Sequence, residues 1–252
     1  MTSPIIGKHI IKLGKVQSTN DYALKLLTNS LPEEGTIIIA NNQTMGKGLA
    51  GNRWESQAGK NITISIILKP SFLKPSKQFY ISKIVALTVH SFLNDILKNI
   101  KIKWPNDIYV NNDKIAGILI ENSFIGSKFG YSVVGIGVNV NQKEFSSELI
   151  NPTSLVNETG EIYDLRKLIN SLIKNLNIYY QLLYNGKYSE INQKYLSLIY
   201  RLREVHSFKT TGGTIKGRIT DIKESGELEI TCVSGEIFYF WFKEIEFQPF
   251  NS

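Results

Sequence analysis

Residues 103–122 read Lys-Trp-Pro-Asn-Asp-Ile-Tyr-Val-Asn-Asn-Asp-Lys-Ile-Ala-Gly-Ile-Leu-Ile-Glu-Asn. With Ile100 to Ile102 ahead of it, this stretch reads as a strand, a proline-centred turn and a second strand. Asn111-Asn112-Asp113 is a further turn, and Lys114–Glu121 returns as a third, mostly apolar strand, making a hairpin. Pro105 biases Trp104 toward extended backbone. Asn106 and Asp107 either fix the turn or offer oxygens to a phosphate-associated Mg²⁺. Lys114 opens the return strand. A lysine there is either solvated along its stem or aimed into a pocket where Gly117, lacking a side chain, leaves room for a ligand.

Working outward, residues 78–98 carry Ile81, Ile84, Val85, Phe92, Leu93, Ile96 and Leu97 at helical spacing. Residues 131–140 form an apolar strand with Gly135 and Gly137 near its end. Upstream, residues 8–17 read as an opening strand. Ser18-Thr19-Asn20-Asp21 is an approximate capping box, so a helix begins there. Strands follow at 36–40 and 61–68, separated by a polar, glycine-punctuated loop over 41–60. Residues 164–199 are helical again, with a break near Gly186. After Arg203 the pattern changes to five short β-rich pieces separated by glycines. We therefore divide the chain into a mixed α+β domain over 1–204 and a small C-terminal β-barrel over 205–252.

The loop holds Gly46-Lys47-Gly48-Leu49-Ala50-Gly51, a match to G-x-G-x-x-G. A dinucleotide fingerprint needs a helix opening inside it and an acid about 20 residues on; neither is present here. It is not a Walker A loop, since no Gly-Lys-Ser/Thr closes it. What remains is a strand–loop–strand whose N–H groups can cradle anionic oxygens. Lys47 adds a point charge and Trp54 an aromatic face.

Composition narrows the class. Of 252 residues, 42% are hydrophobic and 20% charged, which excludes a wholly disordered chain. The single cysteine, Cys232, excludes an internal disulfide framework. Aliphatic runs fall far short of the ~18–20 residues a membrane span needs, and the N-terminus has no secretory pattern, so a soluble cytoplasmic protein is expected. The net charge of +7 suits an anionic ligand or partner, but the lysines are dispersed and form no basic block.

Together these pieces resemble the biotin–protein ligases. The resemblance rests on STND at 18–21, NNQTMGKGLAGNRWESQAGKN at 41–61, KWPNDIYVNNDKIAGILIEN at 103–122, VVGIGVNVNQ at 133–142 and NPTSL at 151–155, in the family's order. It implies a mixed β-sheet flanked by helices, like the core of class II aminoacyl-tRNA synthetases, with an SH3-like barrel as the tail. It implies biotin contacts from Ser18, Thr19, Asn20, Gln43, Lys47, Gly48, Leu49, Lys114 and Gly117. ATP falls to Gly46, Arg53, Trp54, Asn106, Asp107 and Asn139, with Trp54 packing on adenine and Asp107 touching Mg²⁺. Lys114 and Lys47 are the implied catalytic cations. Substrates are biotin and ATP, and the partner is a biotin carboxyl carrier protein or domain. Regulatory members add an N-terminal DNA-binding winged helix. Only 17 residues precede the first helix cap here, so a monofunctional ligase without specific DNA binding is expected, as monomer or homodimer.

The loop departs from the family's common G-R-G-R-x-G-R: Leu49 and Asn52 stand where many members have arginine, and Arg53 is a candidate substitute. Two rivals share features. A lipoate or octanoate ligase of the same fold would use a similar lysine strand, but Trp104-Pro105 and the Ser-Thr-Asn cluster suit a ureido ring better than a dithiolane. A basic nucleic-acid-binding protein could stack bases on Phe238, Tyr239, Phe240, Trp241 and Phe242, yet that stretch has no arginine.

Overall fold

The computed structural model describes residues 5–248; the outermost ends of the two assigned ranges, 1–4 and 249–252, lie outside the described residues. Strands β1 (Ile10–Val16), β2 (Ile37–Gln43), β3 (Ile62–Leu68), β4 (Ile100–Lys103), β5 (Asp107–Val110), β6 (Asp113–Ile125) and β7 (Lys128–Val138) form one sheet in the order β1-β2-β3-β7-β6-β5-β4. The β1–β2 pair is parallel and every other pair antiparallel, so the sheet is mixed.

The two faces of this sheet are chemically different because side chains alternate along each strand. On one face Ile62, Ile64 and Ile66 join Ile118, Val134 and Ile136. These pack in one core with α2 (Phe79–Asn94) and α4 (Leu165–Tyr184). The other face carries Thr63, Ser65, Gly135, Gly137 and Gly117, set side by side by the register Thr63↔Gly137, Ser65↔Gly135 and Gly117↔Gly137. Helix α1 (Thr19–Asn29) covers only part of it, burying Ala23 against Ile38, Ile67 and Val133. The uncovered remainder becomes the cavity.

Helix α1 starts where the capping box predicts. Ser18 Oγ accepts from Asp21 N at 3.4 Å. The two predicted C-terminal helices are α4 and α5 (Tyr188–Ser197), and the chain turns at Gly186 with φ +68°. Helix α2 ends at Asn94, earlier than the sequence pattern suggests: Ile96 and Leu97 belong to the turn that carries the chain into β4. A short helix at α3 (Leu155–Thr159) has no counterpart in the sequence reading. Ser154 caps it, accepting from Asn157 N.

The five tail strands appear as expected: β8 (Val205–Thr210), β9 (Gly213–Ile222), β10 (Leu228–Cys232), β11 (Ile237–Phe240) and β12 (Ile245–Phe247). They pair antiparallel in the order β11-β10-β9-β8-β12. Among the described residues no pairing between β11 and β12 closes the sheet into the expected barrel. The hydrophobic core runs without a break from the first sheet into this one. Phe208, Ile219, Leu228 and Ile230 belong to the same cluster as Trp104 and Ile102. Trp104 Nε1 donates to the carbonyl of Gly226 at 2.9 Å, tying the turn after β4 to the tail. No helix among the described residues is long and apolar enough to cross a membrane.

Candidate active site

A cavity of about 480 Å³ opens over the glycine-bearing face and is walled by α1, the 43–54 loop, the turn after β4, β6, β7 and the tail. Its deep end is polar. Thr19 donates to Gln43 Oε1 through both its N–H (2.8 Å) and its Oγ1 (2.9 Å). Ser65 Oγ lies 2.7 Å from Thr19 Oγ1 and 2.6 Å from Asn20 Oδ1. Asn20 Nδ2 donates to Glu121 Oε2 at 2.7 Å. Ser18, Thr19, Asn20 and Ser65 are all buried. Such groups are oriented firmly, since a buried donor or acceptor left without a partner costs roughly 1–3 kcal/mol. Gly135 makes this possible: a Cβ there would stand 2.4 Å from Asn20 Oδ1.

Next to this pole the floor is glycine. The indole of Trp54 lies flat enough on Gly117 and Gly137 that added Cβ atoms would meet it at 2.9 and 2.4 Å. Its Nε1 is buried without a hydrogen-bond partner. The expected adenine partner therefore rests on the sheet itself. The loop that delivers it is anchored at both ends: Met45 N donates to Gln17 O, and Trp54 N to Gly46 O. Its tip turns through Ala50 (φ +61°) and Gly51 (φ +87°).

Beyond the glycines lies the charged end. Lys114 Nζ sits 2.7 Å from Asp107 Oδ1 and 5.8 Å from the Trp54 ring centroid. The contact is an ion pair rather than a well-directed hydrogen bond, because Asp107 Oδ1 is buried and accepts none. Asn106 Nδ2 donates to the Ile118 carbonyl. Lys47 Nζ bonds Asp21 Oδ1 at 2.5 Å, and that hydrogen bond raises its pKa. Asp21 thus serves Lys47 with its carboxylate and the helix cap with its backbone.

Of the residues read from the sequence, Ser18, Thr19, Asn20, Gln43, Lys47, Gly48, Leu49, Arg53, Trp54, Asn106, Asp107, Lys114 and Gly117 meet on this wall. Two do not. Gly46 packs against the loop's own backbone, where a Cβ would strike the Trp54 carbonyl at 2.4 Å. Asn139 is buried outside the wall, its Nδ2 donating to Thr153 O and its Oδ1 unpartnered. Ser65, Lys103, Ile150 and the tail residues Phe242, Ile245, Glu246 and Phe247 are the structure's additions to the site. Ser65 had a signal: with Thr63 it is a polar pair at period two inside the apolar strand Ile62–Leu68.

The sequence model described as the biotin/lipoate A/B protein ligase family matches residues 13–139, just over half of the chain. This protein belongs to that family. Among its relatives is the bifunctional ligase/repressor BirA of Bacillus spizizenii, 30% identical over 93% of this chain and 73% of that protein. The biotin–[acetyl-CoA-carboxylase] ligase of Paracoccus denitrificans is 27% identical over 88% of this chain and 94% of its own. In three dimensions the chain is similar to the biotin protein ligase of Aquifex aeolicus in complex with biotin and ATP. That match has a TM-score of 0.79 and 27% identity, over 96% of this chain and 99% of the other. The ligase family and the α+β fold expected from the motifs are both borne out.

Proposed function

We propose that this protein is an ATP-dependent biotin–protein ligase. It joins the biotin carboxylate to AMP with release of pyrophosphate, then passes the biotinyl group to the ε-amine of a lysine on a carboxyl carrier domain. The observation that carries this reading is one continuous sheet face. It runs from the amide-and-hydroxyl pole at Thr19, Asn20, Gln43 and Ser65, across the Trp54 indole seated on Gly117 and Gly137, to the Lys114–Asp107 pair. The pole suits a neutral ureido ring, the indole of Trp54 a flat base, and the cations the anionic groups that must meet between them.

A carboxylate is a poor electrophile, so it is activated before an amine attacks. The first step brings an anion to a polyanion. Lys114 and Lys47 offset that repulsion and the charge that develops on the phosphorus oxygens. Mg²⁺, when bound with the nucleotide, supplies further neutralisation. Asp107, a carboxylate on the cavity wall, would hold it, since Mg²⁺ commonly takes one or two carboxylates plus phosphate oxygens. Among the described residues no group of three or more His, Cys, Asp or Glu offers a protein-only cage. In the second step the neutral amine attacks the acyl carbon, the C–O bond breaks with its electron pair leaving on AMP, and the nitrogen gives up its proton to solvent. No protein nucleophile is needed. Cys232, the free thiol, is buried on β10 and is not on the cavity wall.

The test is the intact mass of a carrier domain incubated with ATP, Mg²⁺ and one of biotin, lipoate or octanoate. One ATP-dependent biotinyl addition is expected. Equal or better transfer of lipoate or octanoate would reassign the enzyme to the other half of its family.

A further inference from the structure

Four cations line the cavity: Lys47, Arg53, Lys103 and Lys114. Lys47 is paired with Asp21 and Lys114 with Asp107. Arg53 and Lys103 have no such ion pair among the described residues, and Arg53 is exposed, whereas Lys103 is not. It is half-buried, its Nζ donates to Tyr109 Oη at 2.8 Å, and among the described residues no carboxylate oxygen lies within 4 Å of it. Two rings hold the ammonium, Tyr109 from β5 (4.7 Å to the centroid) and Phe247 from β12 (5.5 Å). Burial and the neighbouring charges of Lys114 and Arg201 lower its pKa, against the attraction of Asp107. An enclosed cation lacking an anionic partner is costly, and a ligand anion in the cavity is the partner that offsets the cost.

Its position in the sheet says which anion. The register places Lys103, Asp107, Gly117, Gly137 and Thr63 on one rung across five strands. Strands are about 4.8 Å apart. The rung therefore runs from the side of the polar pole, past the glycines beneath Trp54, to Lys103 at the far end. In the proposed adenylation a carboxylate oxygen supplies the electron pair for a new O–P bond at the α-phosphorus. The bond from that phosphorus to the bridging oxygen breaks, and its pair leaves with pyrophosphate; no proton is transferred. In-line displacement sends the leaving group away from the incoming carboxylate. With the acid entering from the polar pole, the leaving side is the Lys103 side.

We propose that Lys103, held between Tyr109 and the tail residue Phe247, binds the β- and γ-phosphates of ATP and the departing pyrophosphate. The assignment rests on the ligase reading above. It also accounts for the tail's presence at the site, since Phe247 positions the cation that meets the leaving group.

The first experiment is calorimetric titration of the full chain with inorganic pyrophosphate alone, so it needs no turnover. Lys103→Gln should weaken pyrophosphate binding at least tenfold and raise the KM for ATP at least tenfold, while the KM for biotin stays within twofold. Lys103→Arg should recover most of the loss. The second uses unaltered protein: reductive methylation followed peptide by peptide, in which pyrophosphate should shield Lys103. A folded Lys103→Gln with unchanged pyrophosphate affinity overturns the assignment, as does methylation of Lys103 that pyrophosphate leaves unaffected. An unaltered protein that binds pyrophosphate through Lys103 yet forms no biotinyl-adenylate would sink the ligase reading alone.

Discussion

Trp54 stands on Gly137 so closely that a Cβ there would come within 2.4 Å of its Cε2. The side chain absent from the sheet is what lets the indole lie down, and Gly117 on the neighbouring strand does the same at 2.9 Å. Gly137→Ala should therefore displace the indole without changing the charge of the site. Overpacking of this kind typically costs about 1–3 kcal/mol. We expect a KM for ATP raised by roughly tenfold, the kinetic equivalent of about 1.4 kcal/mol, together with a shift in tryptophan emission. An alanine variant with the parent emission and KM would show that Trp54 does not frame the nucleotide slot.

Ser65 is the hinge of the polar pole, reaching both Thr19 Oγ1 and Asn20 Oδ1. Ser65→Ala removes both contacts and leaves Asn20 Oδ1 short of a donor at a buried site. Each orphaned group costs roughly 1–3 kcal/mol. The expected result is biotin affinity reduced about tenfold, with ATP affinity unchanged. A fall in both together would place Ser65 in the general stability of β3 instead.

Most of the sheet was legible because periodicity reports burial: the alternating and apolar runs predicted the strands of both sheets. The loop glycines and Lys114 were legible because turn chemistry and an isolated charge before an apolar strand are local features. Lys103, Phe242 and Phe247 were not. Each gains its meaning only when β12 folds back over the end of the first sheet, and nothing local in the sequence distinguishes an enclosed lysine from a solvated one. Asn139, a nucleotide contact only by the family resemblance, braces the 151–155 segment through Thr153 O.

Lys83 offers a pH test of the core. It is buried among Phe79, Tyr80 and Tyr195, donates to Asn192 Oδ1 at 2.7 Å, and burial pulls its pKa down to about 8 against the attraction of Asp221 and Glu224. Between pH 8 and about 10.5 the unfolded chain holds a proton that the folded chain has released. Stability from this group therefore rises with pH across that window, by up to roughly 3 kcal/mol. Urea unfolding at pH 7.5 and pH 10 should show the parent gaining on Lys83→Met as pH rises. Shared tyrosine titrations cancel in the difference. Parallel pH curves would remove Lys83 from the linkage.

The proposed division at residue 204 is testable against the continuous core. A chain ending there keeps α1 to α5 but loses the acceptor of the Trp104 N–H and the Phe242–Phe247 wall of the cavity. We expect retained helical circular dichroism, a lower urea midpoint and loss of most adenylate formation. Full activity would show that the tail is dispensable. Loss of the helical signal would show that the two sheets fold as one unit.

In the proposed adenylation Lys114 carries the heaviest chemical burden. It enters β6 immediately after the turn, and its Nζ is held 2.7 Å from Asp107 Oδ1, beside the Trp54 ring. The pair is part-exposed, so as a stability element it contributes little, about 0–1 kcal/mol. As a preorganised charge beside the reacting phosphorus it is worth far more: removing one such donor typically costs about 2.7–4 kcal/mol in barrier, or roughly 10²–10³ in rate. Lys114→Ala should fold normally and form biotinyl-adenylate at least about 100-fold more slowly. Lys114→Arg should also be impaired, since a planar fork does not reproduce a compact ammonium. Asp107→Asn leaves the ammonium in place but unanchored, so its loss should fall between the parent and Lys114→Ala. Pyrophosphate release at saturating ATP and biotin, with circular dichroism as the folding control, reads all three. A folded Lys114→Ala with near-normal release would take this residue out of the chemistry and leave Lys47 and Arg53 to meet the charge.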